Sequence, residues 1–197
     1  MDKIILKLAS QRKSIRRYKN DKVDLSKILY AIRAALQAPS GANQQPWRFI
    51  IVEDSDIKAK IRRICENKER EFYARVKGEL REWLLRRGFT WRKPFLTEVP
   101  YIIAVFAELG KPYAMQSTWL AIGYLLLALE EEGLASLTYT PPGSGEISEI
   151  LEIPKGFQLQ TLIPVGMPRE DKKKEPRRKL YEVTFYNKWG NPLNIGN

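Results

Sequence analysis

Two spacings of hydrophobic positions alternate along the chain, and the changes between them mark out its elements. Ile4, Ile5 and Leu8 predict a short opening helix, followed by a polar and basic stretch from Ser10 to Asp21. Leu25, Ile28, Leu29, Ile32, Ala35 and Leu36 keep helical period behind a capping Asp24, and Pro39 stops them. A turn-rich loop, Pro39 to Pro46, leads into an apolar strand, Trp47 to Val52. From Ser55 to about Arg87 the pattern is helical and heavily charged, with sparse Ile57, Ile61, Ile64, Phe72, Val76, Leu80 and Leu84 on it, and Gly88 breaks it. Tyr101 to Leu109 reads as a buried strand. Ala114 to Glu132 reads as a helix apolar nearly all round, which belongs at the centre of the fold or at a subunit interface. After Gly133 come a strand at Ala135 to Thr140, a turn at Pro141-Pro142-Gly143 and a short helix, Glu146 to Leu151. A strand at Leu159 to Val165, a charged link from Arg169 to Lys179 and a last strand near Tyr181 to Tyr186 follow. Strands separated by long helices, with no internal repeat, predict one α+β domain over residues 1–197 with its helices packed on one sheet.

Composition narrows the function. Of the 197 residues 44% are apolar, enough for a real core. The longest apolar run, Trp119 to Leu129, is too short for a bilayer and ends in three glutamates, and Met1-Asp2-Lys3 lacks the order of a signal peptide. One cysteine, Cys65, excludes an internal disulfide framework and a multi-thiolate metal site. A cytoplasmic chain with no membrane partner and no metal is expected. Histidine is absent altogether, which removes the Ser-His-Asp triad, the Cys-His pair and histidine-ligated zinc or haem. An enzyme of this composition draws its chemistry from a bound cofactor. The net charge of +11 points to anionic partners such as a phosphate-bearing cofactor, a membrane surface or nucleic acid. Nucleic acid is the remote reading, because no binding motif is present and the cations are scattered.

Five constellations carry chemistry. In Arg12-Lys13-Ser14-Ile15-Arg16-Arg17 an extended chain would set Arg12, Ser14 and Arg16 on one side, suited to a phosphate, or the stretch is simply solvated. The loop Pro39 to Trp47 has Gly41 and the amides of Asn43, Gln44 and Gln45 to frame a heterocycle, or is a helix stop before a strand. Thr138-Tyr139-Thr140 at a strand end offers hydroxyls to a cofactor ring, or is ordinary strand sequence. Pro176-Arg177-Arg178-Lys179 is a second phosphate contact or surface charge. Glu69 and Tyr73 share a helix face, and with Lys93 they match a zwitterionic amino acid; the alternative is a surface ion pair between Glu69 and Lys93.

In this order the pieces resemble the flavin-dependent nitroreductase family. Arg12-x-Ser14-x-Arg16, Ala38-Pro39-Ser40-Gly41 through Pro46-Trp47, and Leu162-Ile-Pro-Val-Gly-Met-Pro168 carry the likeness. It implies a mixed, mainly antiparallel sheet flanked by helices, with a C-terminal segment exchanged across a homodimer whose two active sites lie at the interface. It also implies FMN, its phosphate and ribityl chain held by Arg12, Lys13, Ser14 and Arg16 with Arg177. Pro39, Ser40, Gly41, Ala42 and Asn43 would line the flavin from the partner subunit, and Thr138 and Thr140 would sit near its ring. Within the family the likeness is closer to the iodotyrosine deiodinase-like subgroup, through Thr138-Tyr-Thr-Pro141, Pro94-Phe-Leu-Thr-Glu-Val-Pro100 and a lid near residues 66–96. That implies reductive dehalogenation of halotyrosines. Glu69, Tyr73 and Lys93 would clasp the zwitterion, the Ala42 amide would meet the phenolate, and Thr140, the catalytic hydroxyl, would bond flavin N5. A general NAD(P)H-dependent nitroaromatic or quinone reductase is the alternative on the same scaffold, and NAD(P)H or a reductase protein is the implied electron donor in either case.

Overall fold

The computed structural model describes residues 3–192; Met1 and Asp2, part of the start read above for a leader, lie outside the described residues. Strand β2 (Tyr101–Glu108) is buried along all but its last residue. Its side chains alternate between two cores, with Tyr101, Ile103 and Val105 on one face and Ile102, Ala104 and Phe106 on the other. An unbroken apolar run is what burial on both faces demands. β1 (Trp47–Val52) and β4 (Phe157–Gly166) pair with β2 antiparallel, and the two-residue β3 (Ala135–Ser136) pairs with β4, giving the order β1-β2-β4-β3.

Helices cover both faces. α2 (Leu25–Ala35) and α6 (Ala114–Glu131) enclose the first core through Ile28, Ala31, Ala121, Ile122, Leu125 and Leu129. α3 (Ser55–Arg75), α5 (Phe95–Glu98) and α7 (Ser144–Ile150) enclose the second through Ile61, Cys65, Phe95, Leu96 and Ile147. α1 (Ile4–Gln11) buries no side chain and lies against α6. The predicted cap is in place, with Asp24 accepting from the Ser26 amide at 2.8 Å. α6 is apolar on both sides: besides its core face it turns Met115, Trp119, Leu120 and Tyr124 outward. Among the described residues no helix is long and apolar enough to cross a membrane.

Three expectations need correction. The helix expected from Ser55 to about Arg87 is two helices, α3 and α4 (Gly78–Arg86). Val76 and Lys77 are extended and Gly78 sits at φ +63°, a turn that only glycine adopts without strain. The strand expected over Ala135 to Thr140 keeps only Ala135 and Ser136 in the ladder, plus one bridge from Tyr139 to Leu162. Pro141 and Pro142 follow and have no N–H to extend it. The last strand, near Tyr181 to Tyr186, is instead one helical turn, α8 (Leu180–Val183), whose Glu182 carboxylate accepts from the Lys179 amide at 2.6 Å. Only Phe185 makes a bridge there, to Pro192, so among the described residues no neighbouring strand offers this segment a ladder. The four-residue α5 was not foreseen.

Phe106 is the largest fully buried side chain and packs in the second core. Phe106→Ala is expected to lower the unfolding free energy in urea by about 3–5 kcal/mol.

Candidate active site

The charged groups of Glu69 and Lys93 meet inside the molecule. Glu69 projects from α3 and Lys93 from the loop before α5, and Lys93 Nζ stands 3.2 Å from Glu69 Oε2 with both side chains nearly buried. The pair is therefore an interior ion pair, not the surface pair that the sequence left open. Three further contacts fix it. Lys93 Nζ donates to the Thr90 carbonyl at 2.6 Å, the Lys93 amide donates to Glu66 Oε1 at 2.7 Å, and the Tyr139 hydroxyl donates to Glu69 Oε1 at 2.8 Å. The ammonium also faces the rings of Tyr73 and Tyr139, 5.6 and 5.7 Å from their centroids. Burial pulls the Lys93 ammonium below its ordinary value, and Glu69 opposes that shift. Glu69, Tyr73 and Lys93 line one cleft of about 1060 Å³, together with Arg16, Thr138 and Tyr139.

The basic segment after α1 runs along the rim of the sheet. Ser14 bridges Ser136 of β3, and the Ile15 amide donates to the Ser136 carbonyl at 3.2 Å. Ile15 is buried in the second core, so the residues either side of it turn away from that core. Arg12 Nη1 reaches Ser14 Oγ at 3.5 Å, whereas its Nε and Nη2 are buried with no hydrogen-bond partner among the described residues. Burial lowers the Arg12 pKa, Glu130 offsets this and Arg177 adds to it, so the second arginine stands within range. Lys174 belongs to the same group. Its amine is lowered first by burial and then by Arg177 and Arg12, and it donates to the Ala9 carbonyl at the end of α1. Arg16 is oriented by two contacts: its amide donates to Glu170 Oε1 at 2.8 Å and its guanidinium lies 4.8 Å over Phe89. Lys13 pairs at 3.4 Å with the exposed Asp171. Buried, orphaned N–H groups on a half-buried arginine, with like charges around them, fit an anion that accepts from a guanidinium fork.

The remaining expected residues lie elsewhere. Pro39, Ser40, Gly41, Ala42 and Asn43 do not line the cleft of Glu69 and Lys93. They form a turn before β1, fastened to α6 by the Gly41 amide on Ser117 Oγ at 3.2 Å. A Cβ on Gly41 would stand 2.8 Å from Tyr113 Cδ2, which explains glycine there. Ala42, Asn43 and Gln45 take φ of 49°, 53° and 46°, left-handed values that non-glycine residues adopt at a cost. Thr138 lines the cleft; Thr140 is exposed beside it and donates to the Gln160 carbonyl at 3.3 Å.

The nitroreductase family model matches residues 9–167, most of the chain. This chain belongs to the nitroreductase family. It is 49% identical over 185 residues, 94% of its length and 98% of the relative's, to an iodotyrosine deiodinase of Thermotoga neapolitana. To the iodotyrosine deiodinase of Haliscomenobacter hydrossis it is 38% identical over 170 residues, 81% of this chain and 77% of the relative. A crystal structure of oxidized iodotyrosine deiodinase bound to FMN and 3-iodo-L-tyrosine superposes with a TM-score of 0.90 at 48% identity, covering 94% of this chain and all of that one. A BluB-like flavoprotein from Clostridium difficile shares the fold at a TM-score of 0.79 and 24% identity. These matches bear out the expected family and its nitroreductase-like α+β fold.

Within this family member, sequence reasoning overlooked Tyr139, Lys174 and Glu130. Tyr139 sat between two threonines that drew attention as hydroxyls, and Lys174 is one of three consecutive lysines with nothing in the sequence to single it out. Lys93→Met is expected to lower stability by about 3 kcal/mol, because it strands the Glu69 carboxylate in the interior. Adding Glu69→Gln should restore most of the loss, and urea titrations of the two single variants and the double variant read this coupling directly.

Proposed function

We propose that this chain is an FMN-dependent oxidoreductase that reductively dehalogenates halotyrosines. The observation that carries the reading is the interior Glu69–Lys93 pair, held in a cleft beside Thr138 and Tyr73. A carboxylate and an ammonium held together on the wall of a cleft can each exchange the other for a ligand group of opposite charge, and an amino acid zwitterion carries both groups. The identity to two iodotyrosine deiodinases supports the same reading.

Reductive dehalogenation replaces a carbon–halogen bond by carbon–hydrogen, consuming two electrons and a proton and releasing halide. Bound FMN would supply those electrons, because a chain with a single, buried cysteine has no dithiol couple of its own to give two. Arg12 would grip the phosphate through the two N–H groups it leaves free, with Arg177, Lys13, Ser14 and Arg16 on the phosphate and ribityl chain. Lys174 joins this group through its place beside Arg12 and Arg177. Thr138 and Thr140 would border the ring, and the catalytic Thr140 hydroxyl would exchange the Gln160 carbonyl for flavin N5. Glu69 would take the substrate ammonium, Lys93 and Tyr73 its carboxylate, and the Ala42 amide the phenolate. Pro39, Ser40, Gly41, Ala42 and Asn43 would come from the partner of a homodimer. The outward apolar face of α6 and the placing of that turn away from the cleft support this assembly. The segment near 66–96, whose α4 buries only Leu84, is the lid of a single domain spanning 1–197, and its closure would exclude water. NAD(P)H or a reductase protein would return the electrons in the cytoplasm, the setting that a lone cysteine supports.

The test is anaerobic. FMN-loaded protein is reduced and mixed with 3-iodotyrosine, and flavin reoxidation is followed alongside tyrosine release. Matched kinetics are expected, with Glu69→Gln and Lys93→Gln each weakening iodotyrosine binding by about tenfold or more while FMN stays bound. Flavin that stays reduced with iodotyrosine yet reoxidises with a nitroaromatic or a quinone would replace this reading with a general reductase. Separately, Arg12→Lys should weaken FMN binding about tenfold in fluorescence titrations, since a lysine cannot reproduce a fork of two donors.

A further inference from the structure

We infer that Tyr139 is a positioning residue for amino acid recognition, holding one oxygen of Glu69 so that the other faces the ligand. This rests on the halotyrosine reading above and adds a residue to it. The carboxylate divides its two oxygens between two partners: Oε1 accepts from the Tyr139 hydroxyl at 2.8 Å, and Oε2 meets Lys93 at 3.2 Å. When a substrate ammonium takes over from Lys93, the second contact is lost and the first is what keeps the carboxylate in place. Without it, Glu69 would be free to turn with the lysine or toward solvent.

Tyr139 is built to hold still. Its backbone is fastened to β4 in both directions, its amide donating to the Leu162 carbonyl at 2.9 Å and its carbonyl accepting from the Leu162 amide at 2.8 Å. Thr161 Oγ1 donates to the same Tyr139 carbonyl at 3.1 Å. Its ring meets Phe95 edge-on, with centroids 5.6 Å apart and planes at 81°. The Cys65 thiol of α3 stands beside the hydroxyl as well. Burial, with Cys65 and Glu69 adding to it, raises the Tyr139 pKa far above that of a free phenol, so the hydroxyl keeps its proton and remains a donor. Glu69, in contrast, sits on the part of α3 that precedes the break at Val76, where Phe72 is exposed. The hydrogen bond therefore ties a group on the lid side of the cleft to the sheet. It does so from the residue between Thr138 and Thr140, so the ligand's charged end and the proposed flavin contacts share one support.

Two ligands separate this role from simple packing. 3-Iodotyrosine carries the zwitterion; 2-iodophenol carries the same carbon–iodine bond and phenol without it. Tyr139→Phe keeps the ring and its contact with Phe95 and removes only the donor. The expected result is a KM for 3-iodotyrosine raised by about tenfold, at least five times the change seen with 2-iodophenol, with kcat for either substrate changed less than KM. In the Glu69→Gln background the same substitution should add less than twofold, because both changes act through one contact. Equal changes for the two substrates, or full additivity with Glu69→Gln, would overturn the inference and leave Tyr139 as packing. Wild-type protein that dehalogenates neither compound would overturn the halotyrosine reading instead. Wild-type protein that turns over 2-iodophenol without gaining from the zwitterion of 3-iodotyrosine would overturn both.

Discussion

A strand buried on both faces has to be covered from both sides, and β2 with its neighbour β4 places that demand on the rest of the chain. α2 and α6 meet it on one face, and α3, α5 and α7 on the other. With both faces taken up by packing, polar chemistry can be placed only at strand ends and along the sheet rim. The candidate site obeys this restriction. Thr138, Tyr139 and Thr140 follow the end of β3, and Ser14 lies along the edge of β3. Glu69 comes from the helix that packs Ile61 and Cys65 into the second core, two turns and one turn before it. The core thus fixes where the charged groups can be, and the charged groups occupy places that no apolar side chain needs.

Once the site is at the rim of a core, electrostatics decides how it is arranged. Glu69 and Lys93 lose hydration together, which is tolerable because each is the other's partner and because Tyr139, Thr90 and Glu66 take up hydrogen bonds around them. Arg12 loses hydration without equivalent partners. Glu130 compensates some of its charge, while Arg177 and Lys174 add to the positive potential. The two situations suit different ligand chemistries, a balanced pair the zwitterion proposed above and an unbalanced cluster an anion. The net charge of +11 pointed only to anions in general, and the burial of Arg12 selects one place among 34 cationic side chains.

Much of this was legible in the sequence wherever local chemistry decides the structure. Asp24 before a helical run, the uninterrupted Trp47 to Val52 and the apolar Ala114 to Glu132 each specify an element without reference to the rest of the chain. Glu69 and Tyr73 could be placed on one face from their spacing, and Lys93 could be joined to them through the family pattern. What stayed hidden depends on neighbours distant in sequence. The break at Val76-Lys77 lies inside a helical pattern, and it shows only in the extended backbone of those two residues and the left-handed Gly78. The burial of the Glu69–Lys93 pair depends on how the residue-90 loop returns to α3. Tyr139 reaches Glu69 across 70 positions, and a tyrosine in a strand-like stretch carries no mark of such a partner. The tail near Tyr181 has strand-like composition but no ladder among the described residues.

The absence of histidine connects these observations. A chain with no imidazole has no ordinary side chain that gains and loses a proton near neutrality. Its buried Tyr18 and half-buried Tyr139 move further out of that range, both rising because the phenolate is the form that burial penalises. Cys65 follows the same rule, its thiol pushed up to about 12. Burial therefore keeps the phenols and the thiol protonated as constant donors, while the Lys93 ammonium, which burial pulls down, keeps its charge through Glu69. Such a site is suited to orientation and to the exclusion of water, and poorly suited to proton transfer by the protein at neutral pH. Constant donors are also what a geometry-sensitive electron transfer to an aromatic ring requires, since the position of the ring relative to a cofactor then depends on contacts that do not change with pH. The division of labour proposed for this protein, chemistry from FMN and placement from the chain, follows from which side chains the sequence contains and from where the fold buries them.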